Sequence, residues 1–243
     1  MPFDLSKIVL FDTETTDASP EARLVQIAHC QPFGDKERGQ LIVMKSGFFK
    51  PPVPISFDAM AVHHITNDSV ENKETFIASS MWAELKALAD AGYLFVAHNV
   101  AFDIQVLKNE GIEVPNFLDT YKLAVTLIPE EMDHYSLQYL RYALKINQGP
   151  HKIPEVDAHD AVGDVWVLFQ LFSYLIETYQ PTMERMIEIS RMPLMLKRLP
   201  FGKHKGKTFA EVAATDRSYL SWLYMQDGLD ENLNYTLMKW LKN

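Results

Sequence analysis

A chain of 243 residues with 47 % hydrophobic and 12 % aromatic content has enough apolar material for one well-developed core and a small appendage. No apolar run approaches the ~18 residues that span a bilayer, and no charged, apolar and small-residue signal succession opens the chain, so a cytoplasmic location is expected. Cys30, the single cysteine, excludes an internal disulfide and any zinc site built on several thiolates. The formal charge of −9 argues against wholesale coating of nucleic acid, but it is unevenly spread. Residues 194–243 carry eight Lys/Arg against five Asp/Glu, a balance of +3, which leaves 15 basic and 27 acidic residues, or −12, in 1–193. An acidic body with a basic tail suggests two parts with different jobs.

The first predicted element is a short strand. Ile8 to Phe11 is an unbroken apolar run rich in β-formers, as in a strand buried on both faces, and it ends in Asp12 and Glu14. Alternate residues share a face of a strand, so both acids point into one space where an unpaired carboxylate is costly. A divalent cation such as Mg²⁺ or Mn²⁺ answers that cost; a solvated strand end with two incidental acids is the plainer reading. Arg23 to Ala28 and Gln40 to Met44 carry further strand-like segments with turn signals at Gly34 and Gly39, and the three read as an antiparallel meander. Lys50-Pro51-Pro52-Val53-Pro54 is a loop. His63 and His64 follow it and, on spacing alone, read as surface residues.

Residues 76–90 have helical spacing, with Ile77, Met81, Leu85 and Leu88 on one side and Gly92 as the stop. Tyr93 to Ala97 predicts a second buried strand, feeding through His98-Asn99-Val100-Ala101-Phe102-Asp103 into an amphipathic helix, an α/β signature. Asp103 falls in the first turn of that helix, where an acid also suits the helix dipole without catalysis. Phe117 to Thr120 predicts a brief strand, and helical segments follow near 120–127 and 136–144. After a break around Gly149–Pro154, His159-Asp160-Ala161-Val162-Gly163-Asp164 opens the longest apolar helix, which runs to about Tyr179. Asp164 precedes the apolar run Val165 to Phe169 and needs a partner there. A helix over about Thr182 to Arg191 leads to a boundary at Pro193. In the tail, Pro200 to Phe209 packs two glycines, three lysines and two phenylalanines into ten residues. That mixture suits a phosphate contact with apolar anchors, or an exposed basic hairpin. Tyr219, Leu220, Trp222 and Leu223, then Leu233, Leu237, Trp240 and Leu241, supply a miniature helical core.

Taken together, Asp12-x-Glu14, Asp103 after His98-Asn99, and His159 five residues before Asp164 form a pattern. It resembles the DEDDh 3′→5′ exonucleases of the DnaQ-like, ribonuclease-H-type superfamily. Ala59-Met60-Ala61-Val62-His63-His64-Ile65-Thr66 is similar to the segment that approaches the terminal nucleotide in that family, which reverses the reading of His63. Phe201-Gly202-Lys203-x-Lys205-Gly206-Lys207, followed by Tyr219-Leu220-x-Trp222-Leu223, is similar to the C-terminal module of exodeoxyribonuclease X-type enzymes. One departure is Asp17, where many relatives carry glycine.

The resemblance implies an α/β fold with a ribonuclease-H-like mixed central sheet flanked by helices and a small, mostly helical C-terminal module. It implies an exonuclease domain over 1–193 and a nucleic-acid-contacting module over 194–243. Two Mg²⁺ or Mn²⁺ ions are implied, with Asp12, Glu14 and Asp164 holding one, Asp12 shared with the second, and Asp103 assisting. His159 is implied as general base; an unperturbed pKa of roughly 6.5 suits that role near neutrality. Thr13, Thr15, Met60, His63, Asn99 and Phe102 are the implied contacts to the last nucleotide, and Lys203, Lys205 and Lys207 to the strand further along. The expected reaction is release of nucleoside 5′-monophosphates from DNA 3′ ends. The rival readings are an exoribonuclease, a ribonuclease-H-like endonuclease, and a catalytically silent binding or proofreading partner.

Overall fold

Five strands, β1 (Ile8–Thr15), β2 (Leu24–Cys30), β3 (Lys45–Phe48), β4 (Leu94–Ala97) and β5 (Phe117–Asp119), form a mixed sheet of order β3-β2-β1-β4-β5. The computed structural model describes residues 5–31, 44–129, 132, 134–146 and 160–242. The first three strands are the antiparallel meander the sequence predicts, and β4 and β5 add in parallel beside β1. The third strand lies at Lys45–Phe48 rather than over 40–44, of which 40–43 fall outside the described residues. As an edge strand with mostly exposed side chains, it owes its place to pairing with β2 and carries little hydrophobic signal.

The helices of the larger unit, Met1–Ser190, are α1 (Phe57–His63), α2 (Asn67–Val70), α3 (Ser80–Asp90), α4 (Val100–Asn109), α5 (Thr120–Leu127), α6 (Leu137–Ala143), α7 (Ala161–Tyr179) and α8 (Met183–Arg191), the last ending one residue past it. Alternation along the central strands splits their apolar residues between two cores. Ile8, Leu10, Leu94 and Val96 pack with α7, whereas Val9, Phe11, Phe95 and Ala97 pack with α3 and α4. On α7 the buried stripe is Ala161, Val165, Leu168, Leu171, Phe172 and Leu175, spaced three and four apart. Each buried Leu or Phe contributes about 1.5–3 kcal/mol of transfer free energy. That packing fixes the helix against β1.

The predicted single helix over 76–90 is interrupted. Phe76–Ala78 is a 3₁₀ turn, and Ser79 starts afresh by accepting the Trp82 N–H at 3.1 Å. The change of phase buries Phe76 and leaves Ile77 52 % exposed, so Ile77 is not on the buried side as the spacing suggested. Among the described residues no helix is long and apolar enough to cross a membrane.

The smaller unit, Arg191–Asn243, contains α9 (Phe209–Thr215), α10 (Arg217–Tyr224) and α11 (Glu231–Lys242). Phe209, Val212, Leu220, Leu223, Leu233 and Leu237 meet in its own core. Thr208 and Glu211 form a reciprocal capping box that starts α9, and Asp216 caps α10. Asn232 and Thr236 on α11 accept the backbone N–H groups of Leu194 and Leu196, which ties the entering chain to the last helix.

Candidate active site

Strand β1 continues past its apolar part, so Asp12 and Glu14 keep strand geometry and project on the α7 side, as Ile8 and Leu10 do. Asp164 lies in the first turn of α7, four residues before Leu168 and on the same stripe. Strand and helix therefore bring three carboxylates together. One oxygen from each of Asp12, Glu14 and Asp164 lies within 4.8 Å of the others. The site stands at the carboxyl end of β1, where the chain leaves toward β2 on one side and returns as β4 on the other. Open α/β sheets bind ligands in such crevices.

Like charges so close repel by roughly 4 kcal/mol per pair at 4 Å and an effective dielectric of 20. Burial, followed by the charges of Asp164, Asp103 and Asp160, pushes the Glu14 carboxyl up to about 8. Burial holds Asp12 well above its ordinary value too, with Asp103, Asp164, Glu14 and Asp160 adding to it. Asp103 approaches from α4, on the opposite face of the sheet, and is not one of the three clustered acids. Its Oδ1 accepts the Thr13 hydroxyl at 2.6 Å, and Thr13 projects on the side of β1 away from Asp12 and Glu14. Burial raises Asp103 to about 7 despite that hydrogen bond.

Two amides support the acids, and the sequence did not single out either. Gln138 Nε2 on α6 donates to Asp164 Oδ1. Gln26 Nε2 donates to Asp160 Oδ1 at 2.7 Å, and Gln26 stands directly across from Glu14 in the β1–β2 register. Gln26 had a signal: an amide inside the largely apolar strand Leu24–Cys30, buried there, must find partners. Gln138, on a short amphipathic helix, had none.

The rest of the predicted set has mixed placements. His159 lies outside the described residues. His63 is buried; its Nδ1 accepts the Ile65 N–H at 3.0 Å, so its Nε2–H donates to the Thr15 carbonyl at 3.1 Å. With Ser56 N–H bonded to the Thr16 carbonyl at 2.9 Å, both ends of α1 hang on the end of β1, beside Glu14. Met60 is half-buried against Val25, Ile55 and Ile65, and Phe102 against the α4 side of the sheet. The Thr15 hydroxyl donates to the Asp17 carbonyl at 2.7 Å. Asp17 itself accepts from Ser19 N–H at 2.7 Å, an Asx turn that shapes the bend after β1. Asn99 is exposed in left-handed backbone (φ 66°), and its N–H donates to Asp119 Oδ1 at 3.0 Å, the same oxygen that caps α5. Lys203 forms an ion pair with Asp216 at 2.9 Å, while Lys205 and Lys207 are exposed.

Behind the site, Arg23 grips Glu110 with Nε at 2.8 Å and Nη2 at 3.0 Å, fastening the β1–β2 turn to the end of α4. His98, at the end of β4, reaches the Thr120 hydroxyl at 3.0 Å and the Tyr135 carbonyl at 2.7 Å. Burial lowers its pKa to about 4, so it is a neutral clamp.

This geometry agrees with what the chain resembles as a whole. Residues 9–172 match the family described as exonuclease. The chain belongs to the exonuclease family. Residues 199–227 of this exonuclease also match the family described as exodeoxyribonuclease X-like C-terminal. It is 32 % identical over 238 residues to Exodeoxyribonuclease 10 of Escherichia coli strain K12, covering 96 % of this chain and 98 % of the relative. It is 28 % identical over 193 residues to the 3′-5′ exonuclease DinG of Bacillus subtilis, covering 76 % of this chain but 20 % of that relative. Among solved structures, Exonuclease X in complex with 5′ overhanging duplex DNA superposes with a TM-score of 0.59 at 28 % identity, over 75 % of this chain and 99 % of that one. E. coli Exonuclease I in complex with a dT13 oligonucleotide shares the fold, with a TM-score of 0.52 at 19 % identity, over 72 % of this chain and 41 % of that one.

Proposed function

We propose that the chain is a 3′→5′ exodeoxyribonuclease that releases nucleoside 5′-monophosphates from DNA by two-metal-ion hydrolysis. The observation that carries this reading is the meeting of Asp12, Glu14 and Asp164 within 4.8 Å. These are hard oxygen donors, and burial and mutual repulsion hold Asp12 and Glu14 above their ordinary pKa values. A divalent cation relieves that repulsion, so the donor set fits Mg²⁺ or Mn²⁺. Two such ions, when bound, polarise the scissile phosphate and make water acidic enough to attack it at neutral pH. Asp12, Glu14 and Asp164 would hold one ion, and Asp12 with Asp103 would supply oxygens to a second. Thr13 fixes the Asp103 rotamer, and Gln138 helps to fix that of Asp164. His159 takes the proton of the attacking water. Gln26 anchors Asp160, the residue that follows His159 in the chain. DNA, rather than RNA, is supported by the whole-length likeness to Exodeoxyribonuclease 10 and by the DNA-bound relatives.

The test uses matched 5′-labelled DNA and RNA strands with Mg²⁺, wild type beside His159→Ala. A ladder shortening from the 3′ end on DNA, faint on RNA and absent with the variant, supports the proposal. A ladder mainly on RNA overturns the choice of polymer, and an undiminished ladder with His159→Ala overturns the choice of base.

A further inference from the structure

Phe201 and Trp222 are the two most exposed aromatic side chains described in the smaller unit. Phe209, Leu220, Leu223, Leu233 and Leu237 fill its core, yet Phe201 is 49 % and Trp222 is 55 % exposed. Their setting is rigid. The Leu199 N–H donates to the Lys207 carbonyl and the Gly206 N–H to the Leu199 carbonyl, both at 2.9 Å, closing the loop between them. His204, buried inside that loop, lies 3.0 Å from Asp216 Oδ2 and stacks edge-on against Tyr219 with ring centroids 4.9 Å apart. Lys203 joins the same Asp216 oxygen at 2.9 Å.

Gly202 has φ +80°, and a Cβ there would come 2.2 Å from Tyr219 Oη, so the backbone beside Phe201 lies directly on that tyrosine. Tyr219 in turn packs 5.6 Å from Trp222. Tyr219 thus meets both the backbone next to Phe201 and the ring of Trp222, so the two exposed aromatics belong to neighbouring segments of one loop and helix. The loop's own charge has a single sign, and the acids beside it are Asp216, which pairs with Lys203 and His204, and Glu211, which caps α9. Residues 195–210 contain Lys197, Arg198, Lys203, Lys205 and Lys207 and no acid. Lys205 and Lys207 are exposed and form no ion pair among the described residues.

Exposed aromatic faces held near exposed ammonium groups match one ligand chemistry well, a flexible polymer that alternates phosphates with stackable bases. An acidic peptide would satisfy the lysines and leave the aromatic rings unused. We infer that this surface binds a single DNA strand, with bases stacked on Phe201 and Trp222 and phosphates on Lys205 and Lys207. The choice of DNA rests on the exodeoxyribonuclease reading.

The experiment uses the full chain and a labelled oligothymidylate of about 30 nucleotides, with binding read by fluorescence anisotropy in EDTA so that hydrolysis plays no part. The double variant Phe201→Ala/Trp222→Ala is expected to bind roughly 10- to 100-fold more weakly, and Phe201→Tyr/Trp222→Phe within about 3-fold of wild type. Lys205→Gln/Lys207→Gln is expected to flatten the slope of log affinity against log salt by about 1.4. Undiminished binding by the alanine pair overturns the inference. So does an equal loss by the alanine and conservative pairs, or an equal loss on a blunt duplex, whose bases are closed to stacking. Strand shortening by the wild type in Mg²⁺ is scored separately: its absence counts against the exonuclease function, and strand affinity alone decides the surface.

Discussion

Glu14 and Asp216 are carboxylates under opposite regimes, one in each unit. Glu14 shares its space with other acids, and burial with their charge drives it up to about 8. Asp216 accepts hydrogen bonds from His204, Lys203 and Ser218, which hold it well below the usual carboxylate range. The second arrangement is internally complete and holds a loop on a helix. The first is electrostatically incomplete, and a fold that maintains it against repulsion is built to receive positive charge. The contrast is the physical ground for proposing Glu14 as a cation ligand and Asp216 as a structural acid.

The largest effect expected from breaking this contrast is on activity. Asp12→Asn removes the charge shared by both proposed ion positions and should lower the rate of strand shortening by about 10³-fold or more, read on a sequencing gel, while strand affinity in EDTA persists.

The next test is the pH dependence of stability in the metal-free protein. Glu14 has its pKa raised in the folded state, from 4.5 to about 8, so between those values the native state keeps a proton that the unfolded chain releases. Stability from this group is complete below about pH 4.5 and is lost as pH rises to about 8, on the order of 5 kcal/mol. Melting temperature should therefore fall over that window, recover with Mg²⁺, and fall less in Glu14→Gln. Asp216, with its pKa lowered, has the opposite sign: its contribution is present above its ordinary 3.8 and disappears only as pH drops below that value. A melting temperature that stays flat from pH 4.5 to 8 without metal would falsify the account of Glu14.

Arg23→Ala sharpens the comparison inside the larger unit, because it turns a paired buried acid into an unpaired one. Glu110 is 3 % exposed and would keep only the Leu24 N–H, at 3.2 Å. The expected cost is about 2–3 kcal/mol in denaturant unfolding, with no gain in metal affinity, since among the described residues Glu110 belongs to no cluster that could hold a metal ion. Gly202→Ala is the smallest perturbation. A Cβ at φ +80° pressed on Tyr219 Oη should destabilise the smaller unit by about 1–2 kcal/mol, visible as faster amide exchange in α9 and α10.

Much of this architecture is legible in the sequence because its two strongest signals are periodic. Period two along Ile8–Glu14 puts Asp12 and Glu14 on one face, and the three-and-four spacing from Ala161 to Leu175 puts Asp164 on the buried stripe. Their meeting is tertiary, and the resemblance, not the spacing, joined them. What escaped the sequence depends on contacts between distant segments. Strand β3 exists because β2 offers it a partner, Ile77 is exposed because Ser79 resets the helix, and Gln138 matters only because α6 packs beside the start of α7. Likewise, nothing local distinguishes Lys203, which pairs with Asp216, from Lys205, which does not.

The central claim, that Asp12, Glu14 and Asp164 form a cation site, is tested most directly by Mn²⁺ binding without substrate. Metal-free wild type and Asp12→Asn are titrated with Mn²⁺, and the free ion is followed by electron paramagnetic resonance. The account predicts that wild type depletes the free signal and that the variant binds at least about 10-fold more weakly. Equal affinity in the two proteins would place the metal elsewhere and leave the acid cluster without its proposed role.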